Sequence, residues 1–93
     1  MKTGQLKFTE RWRDRLSDYV TAIAWSKDGH HLAAASAAGD VVLFDFSDRV
    51  VPSRAVPNRV VLQSAQGKAV NALGFSADGQ YLAAGGQSGD VMA

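Results

Sequence analysis

The strongest constraint on this chain is that it is written twice. Val20 to Val41 returns as Val70 to Val91, at an offset of 50 residues and without a gap. Half of those 22 positions are identical, and most of the others exchange apolar for apolar or small for small. A unit repeated at such a period does not bury its apolar surface alone; its neighbours must cover it. Units of this kind build surfaces that hold partners more often than they carry chemistry.

Each copy has the same internal order. Val20 to Trp25 is short, apolar and rich in β-formers, which predicts a buried strand. Ser26, Lys27, Asp28 and Gly29 make a turn, because Asp bonds its own backbone and Gly accepts positive φ. His31 to Ser36 is the return strand, Ala37 to Gly39 the next tight turn, and Asp40 to Phe46 the third strand. Pro52 and Pro57 cannot donate to a ladder, so Ser47 to Asn58 reads as a loop. Arg59 to Gln63 resumes a strand, Ser64 to Lys68 turns, and the second copy begins, with Asp78, Gly79 and Gly89 in the places of Asp28, Gly29 and Gly39. Before the first copy, Leu6 and Phe8 alternate with polar neighbours, so Gly4 to Trp12 suits a half-exposed strand, and Arg13 to Asp18 a loop.

No segment carries a helical period, so the fold class is all-β. The central strands are apolar on both faces, which requires an antiparallel sheet covered on both sides. Ala33 to Ala35 in one copy, and Ala83 to Gly86 in the other, let such sheets approach closely.

Composition narrows the function classes. With 46% hydrophobic and 20% charged residues, the chain is globular rather than disordered. A net charge of +1 gives no argument for a nucleic-acid or membrane partner. Without cysteine there is no disulfide frame and no thiolate. The first residues lack an apolar signal core, and no run approaches membrane-spanning length. The expectation is a cytoplasmic protein.

The repeated pieces, Val-x-x-Ile/Leu-x-Trp/Phe-Ser-x-Asp-Gly, then Leu-Ala-Ala, then Gly-Asp-Val, resemble the WD-repeat β-propeller family. They lie at Val20 to Gly29, Leu32 to Ala34 and Gly39 to Val41, and again 50 residues later. The resemblance implies antiparallel propeller blades in a partial ring over residues 1–93. Residues 4–12 would be the outer strand of a preceding blade, 19–63 a first blade and 69–93 an incomplete second. The signature Trp-Asp is Phe44-Asp45 here. The family's buried His, Ser/Thr, Asp and Trp set is matched by Ser36 alone. Its turn Asp is replaced by Ala38 or Ser88, and its Gly-His by Ser17-Asp18 or Gly67-Lys68. These blades are therefore expected to rely on apolar packing.

Candidate chemistry is sparse. His30 and His31 point to opposite faces of a strand start, which disfavours a shared metal. Asp28 and Asp78 are explained by their turns, and Ser26 and Ser76 lack a nucleophile elbow. Gly39 and Gly89 are not followed by the Lys-Ser/Thr of a phosphate loop. Arg11, Trp12, Arg13 and Arg15 form the most distinctive unrepeated stretch, read as either a charged edge or a partner contact. Arg49 and Arg54 lie in a basic connection of the same double reading. No catalytic residue, metal site or cofactor is expected. The reading is a non-catalytic protein–protein interaction scaffold, the N-terminal part of a longer propeller. Its alternatives are a two-blade subunit that self-assembles head to tail into a ring, and a propeller segment fused to a catalytic or regulatory domain.

Overall fold

A computed structural model describes residues 12–46 and 57–92. It contains two antiparallel sheets and, among the described residues, no helix. The first sheet has the order β1-β2-β3-β4, with β1 at Val20–Trp25, β2 at His31–Ser36, β3 at Val41–Asp45 and β4 at Asn58–Gln63. The second has the order β5-β6-β7, with β5 at Val70–Phe75, β6 at Leu82–Gly86 and β7 at Val91–Met92. The two sheets stack without closing, as a partial propeller. Trp12 itself is not in a strand; the rest of the strand expected from Gly4 onward lies outside the described residues, as does the connection carrying Arg49 and Arg54.

The turns explain why successive strands pair. In the first, the Ser26 hydroxyl donates to Asp28 Oδ1 at 2.6 Å, and the same oxygen accepts the His30 N–H at 2.9 Å. The His31 N–H donates to Ser26 Oγ at 3.0 Å. Ser76, Asp78, Gln80 and Tyr81 repeat this arrangement at 2.6, 3.0 and 3.0 Å. Each turn thus satisfies its own backbone donors before the return strand begins.

Both first strands carry a β-bulge at the same place, between Val20 and Ala22 and between Val70 and Ala72. The bulged residue leaves the ladder and can be aimed elsewhere. Thr21 uses this freedom to join the sheets: its hydroxyl donates to the carbonyl of Val70. Around that bond lies one apolar cluster, in which Ala22, Ala35 and Val41 of the first sheet meet Val70, Leu73, Leu82 and Ala84 of the second. Small residues on the first sheet's inner face let the larger ones of the second sheet seat against it.

The connection between the sheets also fits closely. The N–H groups of Gln66 and Gly67 both donate to the carbonyl of Ala38, at 2.9 and 2.8 Å. A Cβ added at Gly39 would lie 2.5 Å from the Lys68 carbonyl oxygen, and φ there is +99°. Gly89 occupies the corresponding turn with φ +83°, yet nothing lies within 4 Å of its missing Cβ.

The structure corrects one expectation about coverage. Val20–Trp25 is not buried on both faces: Val20, Ile23 and Trp25 are 51%, 62% and 55% exposed. Their outward side chains belong to the face of the first sheet that points away from the second, and no sheet among the described residues packs there.

The glycine pair gives a direct test. Gly39→Ala combines a strained φ with a backbone collision, and should cost about 2 kcal/mol or more. Gly89→Ala carries only the strained φ and should cost about 1 kcal/mol. Urea-denaturation midpoints of the two variants check the order; equal losses would mean that the contact with Lys68 does not tighten the first turn.

Candidate functional site

The outward face of the first sheet is one place where exposed apolar residues collect among the described residues. Val20, Ile23 and Trp25 of β1 stand beside Leu32 and Ala34 of β2 and Phe44 of β3. Alternation along each strand puts these residues on one side. A groove of about 310 Å3 runs over all of them but Trp25, walled on the other side by Trp12 and Leu16. Tyr19, 72% exposed, lies at its margin in sequence.

Residues 12–16 are fastened to this face by aromatic and ionic contacts. The Trp12 ring meets Phe44 edge-on at 4.6 Å and Phe46 at 5.6 Å, and Phe46 lies 5.8 Å from Trp25. Arg59, on β4, donates from Nη1 to Asp14 Oδ2 at 2.9 Å and to the carbonyl of Arg15 at 3.2 Å. Its guanidinium also lies 5.6 Å from the Phe44 ring centroid. The Asp14 carboxyl is held below its ordinary value, first by the Arg15 N–H and also by Arg59, against a smaller opposing effect of burial. A half-exposed pair of this kind contributes about 0–1 kcal/mol, so the aromatic packing is the stronger fastening.

Beneath the entry segment lies a buried polar set that the sequence reading did not anticipate. The Ser36 hydroxyl donates to Asp40 Oδ1. Asp40 Oδ2 accepts both the N–H and the hydroxyl of Ser17 at 3.0 Å. The expectation of purely apolar packing is therefore corrected for the first copy. The carboxylate comes from Asp40 rather than from the Ala38 position, because the ladder that pairs Ala35 with Val41 brings Ser36 and Asp40 face to face across the turn. The Ser-x-x-x-Asp spacing around a tight turn was the available signal. The second copy cannot repeat the set. Gly86 stands at the serine position, and a Cβ there would lie 2.1 Å from the Ala69 carbonyl oxygen.

Burial pushes the Asp40 carboxyl up, but the Ser36 and Ser17 donors outweigh it and hold its pKa below 3.8. A lowered folded pKa gives stability that is complete above the unfolded value of about 3.9 and is lost as pH falls through the folded one.

The remaining candidates are accounted for locally. Asp28 and Asp78 line one shallow depression of about 190 Å3, with Lys27. Each carboxyl is held below its ordinary value, chiefly by its own turn serine and then by a backbone N–H. General acid or base work near neutrality needs the opposite shift. His31 Nε2 lies 3.4 Å from Asp45 Oδ1, and His30 Nδ1 lies 3.6 Å from Asp28 Oδ2, so each histidine has its own carboxylate. No group of three or more His, Cys, Asp or Glu among the described residues could hold a metal ion. Trp12 is half-buried, while Arg13 and Arg15 are exposed beside it; Arg11 lies outside the described residues.

Asp40→Ala should lower stability at pH 7 by about 1–3 kcal/mol, the cost of orphaning charge-assisted donors. The loss should shrink as pH falls below the unfolded carboxyl value of about 3.9 and through the lower folded one. Urea titrations at a series of pH values measure it; a loss independent of pH would remove the carboxylate from the account.

No curated protein and no solved structure matches the chain. The family described as WD domain, G-beta repeat, matches residues 9–45 and again residues 58–92. Each match takes in one described sheet up to its third strand, together with the segment that precedes it. With most of its length matched by two consecutive repeats, the chain belongs to the WD-repeat family.

Proposed function

We propose that this protein is a non-catalytic scaffold that holds another protein on the open face of its first blade. WD repeats generally mediate protein–protein interaction, and one observation supports the finer reading here. An apolar groove lined by Val20 and Ile23, with Leu32, Ala34 and Phe44 of the sheet, stands open beside the exposed Trp25. Exposed apolar residues gathered into a patch, rather than scattered, mark interaction sites. Trp25 and Trp12 supply large aromatic surface of the kind that dominates interface energetics. Arg13 and Asp14 line the groove and suit a polar rim.

The absence of enzymatic chemistry belongs to the same proposal. The carboxylates of Asp28, Asp78 and Asp40 are all held ionised by donors from their own turns or entry segment, which suits structure rather than proton transfer. A cytoplasmic location is likewise proposed, on a composition without cysteine.

A photoreactive residue placed at Ile23 in the native cell should cross-link to a discrete protein. The same residue at Lys27, in the exposed turn, should not. Absence of a cross-link at position 23, or identical products at both positions, would overturn the groove as the docking face.

A further inference from the structure

The entry segment is fastened through a serine hydroxyl that stands at the surface. We propose that Ser17 is a phosphorylation site, and that a phosphate there releases residues 12–17 from the first sheet. The site goes beyond the scaffold reading; only its consequence for partner binding rests on that reading.

Three properties meet at Ser17. It is exposed, and it lies in a stretch from Trp12 to Tyr19 that forms neither strand nor helix, as an acceptor segment must be to enter an enzyme cleft. Arg11, Arg13 and Arg15 precede it at every second position, and Arg13 and Arg15 are exposed. That run suits a kinase with an acidic substrate groove. Its hydroxyl donates to Asp40 Oδ2 at 3.0 Å, on a carboxylate that belongs to a buried residue. The other described serines lack at least one of these properties. Ser26 and Ser76 commit their hydroxyls to their own turns, and Ser36 is fully buried. Ser64 is exposed, but its hydroxyl holds no carboxylate among the described residues. Ser88 is exposed, yet no Lys or Arg stands between Lys68 and it.

The chemistry balances simply. The Ser17 oxygen attacks the γ-phosphorus of a nucleoside triphosphate; an O–P bond forms, the bond to the bridging oxygen breaks, and the nucleoside diphosphate leaves. The hydroxyl proton passes to the kinase's base. In the docked segment that proton is given to Asp40, so the oxygen is reached when the segment lifts. The phosphate then opposes its return. The ester oxygen has no proton to donate, and a group of about −1.5 to −2 charge would face a buried carboxylate. Ser36 holds the other oxygen of that carboxylate in place, and its lowered pKa keeps it charged at neutral pH.

The remaining fastenings are the half-exposed pair of Asp14 with Arg59 and the packing of Trp12 and Leu16 over Ala34, Val42 and Phe44. Loss of the Ser17 anchor shifts the balance between docked and lifted forms. The lifted form uncovers those three residues and so enlarges the apolar face proposed for a partner.

The test uses the whole chain carrying Trp25→Phe, which leaves Trp12 as its one tryptophan. A purified serine kinase selective for upstream arginines, supplied with ATP, should place a phosphate on Ser17, located by mass spectrometry. Trp12 emission should move to the red, and the lifted fraction read from acrylamide quenching should rise roughly tenfold or more. Phosphatase should reverse both. Asp40→Asn keeps the side-chain shape and removes the opposing charge, so the shift on phosphorylation should largely vanish there; circular dichroism checks that each variant is folded. A synthetic peptide of residues 9–20 serves as the unfolded acceptor.

A peptide that reacts beside a folded chain that does not would show that the segment never lifts, and overturns the site. A peptide that fails overturns the arginine run as its address. A phosphate at Ser17 that leaves Trp12 quenching unchanged, or an equal shift in Asp40→Asn, overturns the release. The link to partner binding is read separately, from the cross-linking yield at position 23, which should rise on phosphorylation. An unchanged yield overturns that consequence, and absence of any cross-link there overturns the scaffold reading, while mass and fluorescence still decide the site.

Discussion

A sheet that is apolar on both faces has no stable existence alone, and the structure is organised by that requirement. Ala22, Ala35 and Val41 on one sheet and Val70, Leu73, Leu82 and Ala84 on the other satisfy it for one pair of faces. The contact is close because one side is built from small residues. It is also registered, because the bulged Thr21 bonds the Val70 carbonyl and the connection from β4 to β5 bonds Ala38. Apolar area supplies most of the attraction, while these directional bonds fix how the sheets are set.

The opposite face of the first sheet meets the same requirement only in part. Trp12 and Leu16 cover Phe44, Val42 and Ala34, and Arg59 and the Asp40 set hold that cover in place. Ile23 and Trp25 remain outside it. The property that stabilises a stack of repeats, two-sided apolarity, therefore also leaves an apolar surface open on the first sheet. Under the proposed scaffold reading, packing and partner binding would draw on the same side chains.

Much of the fold was legible because it depends on local chemistry. The Ser-x-Asp-Gly turns are determined within a few residues, and their hydrogen bonds involve only their own neighbours. The strands between them follow from alternation and from β-forming residues. The polar set was not legible, because no carboxylate stands at Ala38 and Asp40 reaches Ser36 only across the turn between β2 and β3. Arg59 was read as the start of a strand; its pairing with Asp14 spans a sequence separation that no local pattern reveals. Trp12 was placed on an edge strand, whereas its ring packs over Phe44.

The sequence by itself determined that two copies of one antiparallel unit exist, where each turns, and that their strands are apolar on both sides. It did so because turn chemistry and strand patterning act over a handful of residues and repeat at a constant offset. Only the tertiary structure decided which of those apolar faces meet each other and which stay open. That choice depends on the stacking direction of the sheets, on the carbonyl that crowds Gly39, and on an entry segment folded back over Phe44. Each of these is a contact between residues distant in the chain.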